Sequence, residues 1–102
     1  MYAYCQNLPG VTEEMTARIE AEVGDAPIEG LIAHVAGPMR GGWRIIDVYE
    51  SFEDYQRFMR ERLGPAMQQV LAGMPAPSQP ADLFEVHGLE RFAWAGGVRV
   101  DV

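Results

Sequence analysis

An α+β sandwich, one layer of antiparallel sheet against one layer of helices, is predicted by three observations. Two alternating runs, Leu31–Ala36 and Trp43–Tyr49, flank a Gly/Pro turn and read as a β-hairpin. Two other stretches repeat apolar residues at helical spacing, one through Met15, Ile19 and Val23, the other through Tyr55, Phe58, Met59 and Leu63. Shorter β-rich runs, Tyr2–Asn7 and Leu83–Leu89, open and close the pattern.

Taken in order, Tyr2–Asn7 alternates as a first strand and ends at Pro9-Gly10. Thr12 is placed to cap a helix whose first turn holds Glu13 and Glu14, where the helix dipole favours negative charge. Gly24 stops it. The hairpin follows. If Pro38 pairs with Trp43 across a four-residue turn, the antiparallel register sets His34 opposite Asp47, and a one-residue slip would undo this. Ser51 caps the next helix, with Asp54 in a capping-box-like position. Gly64-Pro65 is expected to break or kink that helix, and Ala66–Leu71 resumes it. The segment 73–81 is a Pro-rich connector. The resulting order, β-α-β-β-α-β, is the ferredoxin-like signature: a four-stranded antiparallel sheet with two helices on one face.

At 102 residues the chain is expected to be one domain, residues 1–89 its core and 90–102 a C-terminal tail. Val98–Val102 in that tail could add a short fifth strand or fray. A net charge of −7 argues against nucleic acid and against anionic membrane surfaces, both of which demand a basic footprint. All eight basic residues are arginine, which excludes Schiff-base lysine chemistry and a P-loop together. No apolar run approaches the ~20 residues that span a bilayer. The segment MYAYCQNLPG lacks the basic and apolar regions of a signal peptide, so a cytoplasmic location is expected. The single Cys5 rules out an internal disulfide and reads as a small buried core residue.

The strands divide into two faces. Ala3, Cys5, Leu31, Ala33, Val35, Ile46, Val48, Phe84 and Val86 make a small, uniformly apolar face, expected to lie under the helices; Arg44 is expected on that helix side too. Tyr2, Tyr4, Gln6, Ile32, His34, Trp43, Ile45, Asp47, Tyr49, Glu85, His87 and Leu89 make the other. That second face is too aromatic for water and too polar for a simple core, the composition of an interface or a ligand cavity. The expected solution is a dimer of facing sheets, with a cavity between sheet and helices or between sheet and sheet.

The βαββαβ order, with the segment GWRIIDVYESFEDYQRF as a third strand running through Tyr49-Glu50-Ser51 into a second helix, resembles the dimeric α+β-barrel superfamily. That superfamily includes the antibiotic-biosynthesis monooxygenases, and the resemblance covers Tyr2 to about Leu89. It implies the barrel fold, a homodimer and, in some members, a cavity for an aromatic or polyketide-like compound. Other members bind haem, decompose small metabolites or have no known activity. The resemblance carries over no catalytic residue.

His34, oriented by Asp47, is the leading candidate acid–base pair, since a neighbouring carboxylate fixes the imidazole tautomer and raises its proton affinity. His87, with Glu85 two residues before it, is a second catalytic candidate. Tyr4, Gln6, Ile32, Trp43, Ile45, Tyr49 and Glu85 are expected to bind substrate. Structural alternatives are a histidine hydrogen-bonded at a dimer interface and aromatics that cement the dimer. Metal is not expected, because the two histidines sit on strands expected at opposite edges and could share a site only between subunits. No cofactor is expected. These readings point to a small cofactor-independent enzyme acting on an aromatic or polycyclic metabolite by monooxygenase-like or cyclase/isomerase chemistry. The alternative is a non-catalytic binding or dimerisation protein of the same fold.

Overall fold

A computed structural model of the chain describes residues 1–74 and 80–89. The elements run β1 (Tyr2–Pro9), α1 (Glu13–Val23), β2 (Leu31–Met39), β3 (Gly42–Tyr49), α2 (Phe52–Phe58), a π-helical turn (Met59–Leu63), α3 (Gly64–Val70) and β4 (Asp82–Glu85). The four strands form one open antiparallel sheet in the order β2-β3-β1-β4, the ferredoxin-like arrangement. The possible strand at Val98–Val102, the rest of the tail and part of the Pro-rich connector lie outside the described residues. Among the described residues no helix is long and apolar enough to cross a membrane.

Local chemistry sets the helix starts. Thr12 Oγ1 accepts the Met15 N–H at 3.2 Å, and Ser51 Oγ accepts the Asp54 N–H at 3.1 Å. Each cap satisfies a donor that the first turn leaves without a partner. Gly24, at φ +82°, ends α1 and donates its N–H to Glu20 O at 3.0 Å.

Gly64-Pro65 does not break the second helix. The chain instead widens into the π turn, in which the Gly64 N–H reaches Met59 O, and Pro65 opens α3 where its missing N–H costs least. Gly64 is required by packing, because a Cβ there would lie 2.5 Å from Met59 O.

The hairpin takes the register that follows on the condition that Pro38 pairs with Trp43. Pro38 pairs with Trp43 and His34 with Asp47, and the ladder runs one pair further, Met39 with Gly42, leaving Arg40-Gly41 as the turn. A bulge between Leu31 and Ala33 makes Ile32 the extra residue. Leu31 therefore joins the face of His34 rather than that of Ala33.

The two faces of the sheet are used in the reverse sense to that expected. The helices cover the aromatic, polar face: Tyr4, Leu8, Ile45 and Tyr49 form the core with Ile19 of α1, Phe58 of α2, Leu63 and Ala66. Among the described residues no helix covers the small apolar face, where Val35, Ile46 and Phe84 are 62%, 37% and 55% exposed while Ala3 is buried. Cys5 and Arg44 lie on this open side, and Arg44 Nε donates to Asn7 Oδ1 at 2.8 Å. Volume explains the reversal. Tyrosines, leucine and isoleucine fill the ~10 Å gap between layers, which alanines and a cysteine leave empty. Polarity is no obstacle, because among the described residues every buried side-chain nitrogen and oxygen has a hydrogen-bond partner.

Candidate active site

β2 and β3 carry the site between them. His34 and Asp47 stand opposite each other on the helix side of the ladder, and the His34 Nδ1–H donates to Asp47 Oδ1 at 2.5 Å. Tyr49, two residues along the same face of β3, donates its hydroxyl to Asp47 Oδ2 at 3.0 Å. Both carboxylate oxygens are thus engaged. Asp47 is 2% exposed and Tyr49 fully buried, whereas the His34 side chain is 47% exposed. A buried carboxylate with two donors has one geometry available to it, so it fixes the imidazole that leans on it. His34 Nε2 is the nitrogen left for chemistry.

Electrostatics follow from this arrangement. The hydrogen bond to Asp47 raises the His34 pKa above its ordinary value, against the opposing effect of partial burial, and the Glu20 charge adds to the rise. Burial, reinforced by the Asp47 charge, raises the Tyr49 phenol far above its usual range, so Tyr49 remains a donor at any physiological pH. Tyr4, directly opposite Asp47 on β1, is raised mainly by burial too.

His34 lines a cavity of about 280 Å³ between α1 and the β2–β3 hairpin. Its walls are mostly apolar: Ile19 and Val23 from α1, Leu31 and Ala36 from β2, Trp43 and Ile45 from β3, Phe58 and Leu63 from the second helical segment. Its polar groups are Thr16, Glu20, His34 and Asp47.

Of the residues singled out in the sequence, the structure brings His34, Asp47, Trp43 and Ile45 to this chamber, with Tyr49 behind them as the anchor of Asp47. Tyr4 and Gln6 face a separate cavity, where the Tyr4 hydroxyl donates to Gln6 Oε1. Ile32 is taken up by the bulge, and Leu31 occupies the lining position instead. Glu85 and His87 are not brought to His34. They lie at the β4 edge, opposite to β2, exposed, with 3.5 Å between His87 Nε2 and Glu85 Oε1. Among the described residues no three His, Cys, Asp or Glu side chains converge as a metal-ligating set.

Thr16 and Glu20, which also line the chamber, were not singled out by the sequence reading. They sit four residues apart on α1, alongside the Ile19–Val23 stripe, so a helical projection flags them only once the sheet face beneath α1 is known.

Against known protein families and against curated proteins the chain finds no match. Among solved structures it is similar to the crystal structure of a candidate antibiotic biosynthesis monooxygenase from Chloroflexus aurantiacus J-10-fl. The TM-score is 0.58 and the identity 18%, over 87% of this chain and 95% of that one. The likeness shows the fold alone, the ferredoxin-like architecture.

Proposed function

We propose that the protein is a cofactor-independent acid–base enzyme acting on a small aromatic or polyketide-like ketone or phenol, and that it works as a homodimer. One observation carries the reading: an imidazole held at 2.5 Å by a buried carboxylate with two hydrogen-bond donors forms part of the wall of a mostly apolar chamber. His34 Nε2 takes a proton from a carbon next to a carbonyl, or from a phenol. Asp47 steadies the imidazolium that forms, and Tyr49 holds Asp47 in place. Return of the proton to a second atom completes an isomerisation or cyclisation. If dioxygen meets the carbanion, a ring CH₂ becomes C=O and water leaves, the substrate supplying the electrons. The similarity to a candidate monooxygenase favours this oxygenation branch. A volume of about 280 Å³ lies near the lower end of small-molecule pockets and suits one or two rings.

The test is exchange of the α-protons of 2-tetralone in D₂O, followed by NMR. The wild-type chain should accelerate exchange about 10²- to 10⁴-fold, His34→Ala should fall to the solvent rate, and Asp47→Asn should lie between them. A wild-type rate no faster than that of His34→Ala would overturn the enzymatic reading. A second reading, a binding or dimerisation protein without turnover, is favoured by the open apolar sheet face and would then stand.

A further inference from the structure

The His34 chamber is acidic. Glu20 of α1 lines it together with His34 and Asp47, and among the described residues no arginine does. Protonated or not, the imidazole leaves the wall net negative. The Glu20 charge lies near enough to His34 to raise its proton affinity. Glu20 is exposed and His34 half-exposed, so both stand at the mouth, with the apolar walls behind them. Arg62, 5.7 Å from the Phe58 ring centroid, lies outside this lining and spends its N–H groups on the Val23, Ala26 and Pro27 carbonyls.

Hydrogen bonding points the same way. Thr16 Oγ1 donates its proton to Glu13 O at 2.7 Å, so towards a ligand it can only accept. The Glu20 carboxylate and the Nε2 of the neutral imidazole are acceptors too. Both Asp47 oxygens already hold a donor. Apart from the Trp43 indole N–H, these side chains offer acceptors, and their complement is a cationic donor. The Trp43 ring in the same wall adds an aromatic surface, whose negative face favours a cation. A carboxylate or phosphate would meet repulsion from Glu20 and would lose its water with no partner cation in the described lining.

We propose that the chamber takes an aromatic molecule bearing an alkylammonium group, with the ring among the apolar walls and the ammonium at the mouth beside Glu20. The assignment rests on the reading of this chamber as the substrate site, and it gives the ketone or phenol of that reading a positive charge. Glu20 selects and orients by charge, and the proton transfer stays with His34.

The experiment titrates the full chain at neutral pH with three compounds on one bicyclic frame, 2-aminotetralin, 2-tetralol and tetralin-2-carboxylate, followed by NMR of the histidine ring protons. The amine should shift the His34 ring protons saturably and leave those of His87, at the opposite edge of the sheet, unmoved. It should bind about three- to five-fold more tightly than the alcohol, the worth of one charge contact open to water. The carboxylate should bind more weakly than the alcohol. Glu20→Gln should remove the preference for the amine and keep the affinity for the alcohol. Glu22→Gln, an equal change in net charge at an exposed α1 position outside the lining, should keep the preference. The proposal is overturned if amine and alcohol bind equally, if the carboxylate binds as tightly as the amine, if Glu20→Gln retains the preference, or if no probe shifts His34. Proton exchange of 2-tetralone reports the enzymatic reading separately. Exchange without the amine preference strikes this assignment alone, and the preference without exchange strikes the enzyme alone.

Discussion

His34 and Asp47, thirteen positions apart in the chain, meet at 2.5 Å across the hairpin, one half exposed and the other sealed under the helices. The asymmetry gives the pair its character. Asp47 is sealed from water, so of the two only the imidazole reaches the solvent, and its proton affinity is set from behind.

A pH dependence of stability follows from the raised His34 pKa. The protonated ring gains its partner on folding, so its contribution is complete below the ordinary histidine value near 6.5 and is lost as pH climbs through the higher folded value. Half-exposure keeps the effect small through solvent screening. The urea midpoint of the wild type should fall more between pH 6 and pH 9 than that of His34→Gln. Tyr49→Phe takes one donor from Asp47 and leaves its carboxylate to His34 alone. The His34 ring-proton NMR titration should then move further up, while the lost hydrogen bond to the buried carboxylate costs about 1.5–3 kcal/mol. A downward shift would show that Tyr49 does not act through Asp47.

Arg62 is a second anchor. α1 has no basic residue in its last turn, and Arg62 supplies the missing positive charge from the π turn. Its Nη2 donates to Val23 O at 2.9 Å and Ala26 O at 3.0 Å, and its Nη1 to Pro27 O at 3.1 Å, with the guanidinium 5.7 Å from the Phe58 ring centroid. Arg62→Ala should cost about 1.5–3 kcal/mol, the range for hydrogen bonds to a charged group. Arg62→Lys should recover little, since a point charge cannot span the fork of carbonyls. Hydrogen exchange should accelerate selectively at 24–31, the segment that leads into the chamber wall. Uniform acceleration across the chain would contradict this.

Much of this was legible in the sequence, for local reasons. Alternation around a Gly/Pro turn marked the hairpin, though its register followed only on the condition that Pro38 pairs with Trp43. Thr12 and Ser51 announced their helices through side-chain oxygens that act within three residues. Which face of the sheet the helices cover is not legible from polarity, because side-chain volume decides it. Tyr4 and Tyr49 read as interface residues, yet their bulk fills the gap beneath the helices and Gln6 and Asp47 satisfy their hydroxyls. The Ile32 bulge, the π turn and the Arg62 cap have no local signature. Each is a compromise between segments distant in the chain, Arg62 reaching back as far as 39 positions to Val23.

Gly30 and Gly24 separate backbone strain from steric clash. Both have positive φ, +81° and +82°, but a Cβ on Gly24 meets open space while one on Gly30 would lie 2.2 Å from Asp54 Cγ. Gly24→Ala should cost only the backbone term, about 1–3 kcal/mol. Gly30→Ala should cost more, because it also displaces the Asp54 carboxylate from Ser51. Asp54→Ala should relieve part of that excess, a non-additivity read from urea midpoints of the two single variants and the double. Equal costs at the two glycines would exclude the clash.

The open sheet face yields the last prediction. Val35 and Ile46 pair across β2 and β3, Phe84 stands exposed on β4, and Cys5 lies between them on β1. A contiguous apolar surface of this kind is costly to leave in water, and a second copy would bring an identical, self-complementary sheet to cover it. On the proposed homodimer, sedimentation at micromolar concentration should give twice the chain mass. Val35→Glu and Ile46→Glu should each weaken association at least ten-fold by placing a carboxylate in the contact. Neither side chain belongs to the protomer core, so the far-ultraviolet spectrum and the protomer's own urea midpoint should hold while the dimer dissociates. A wild-type monomer at 100 μM, or a Val35→Glu variant as dimeric as the wild type, would mean that this face is not where two copies meet.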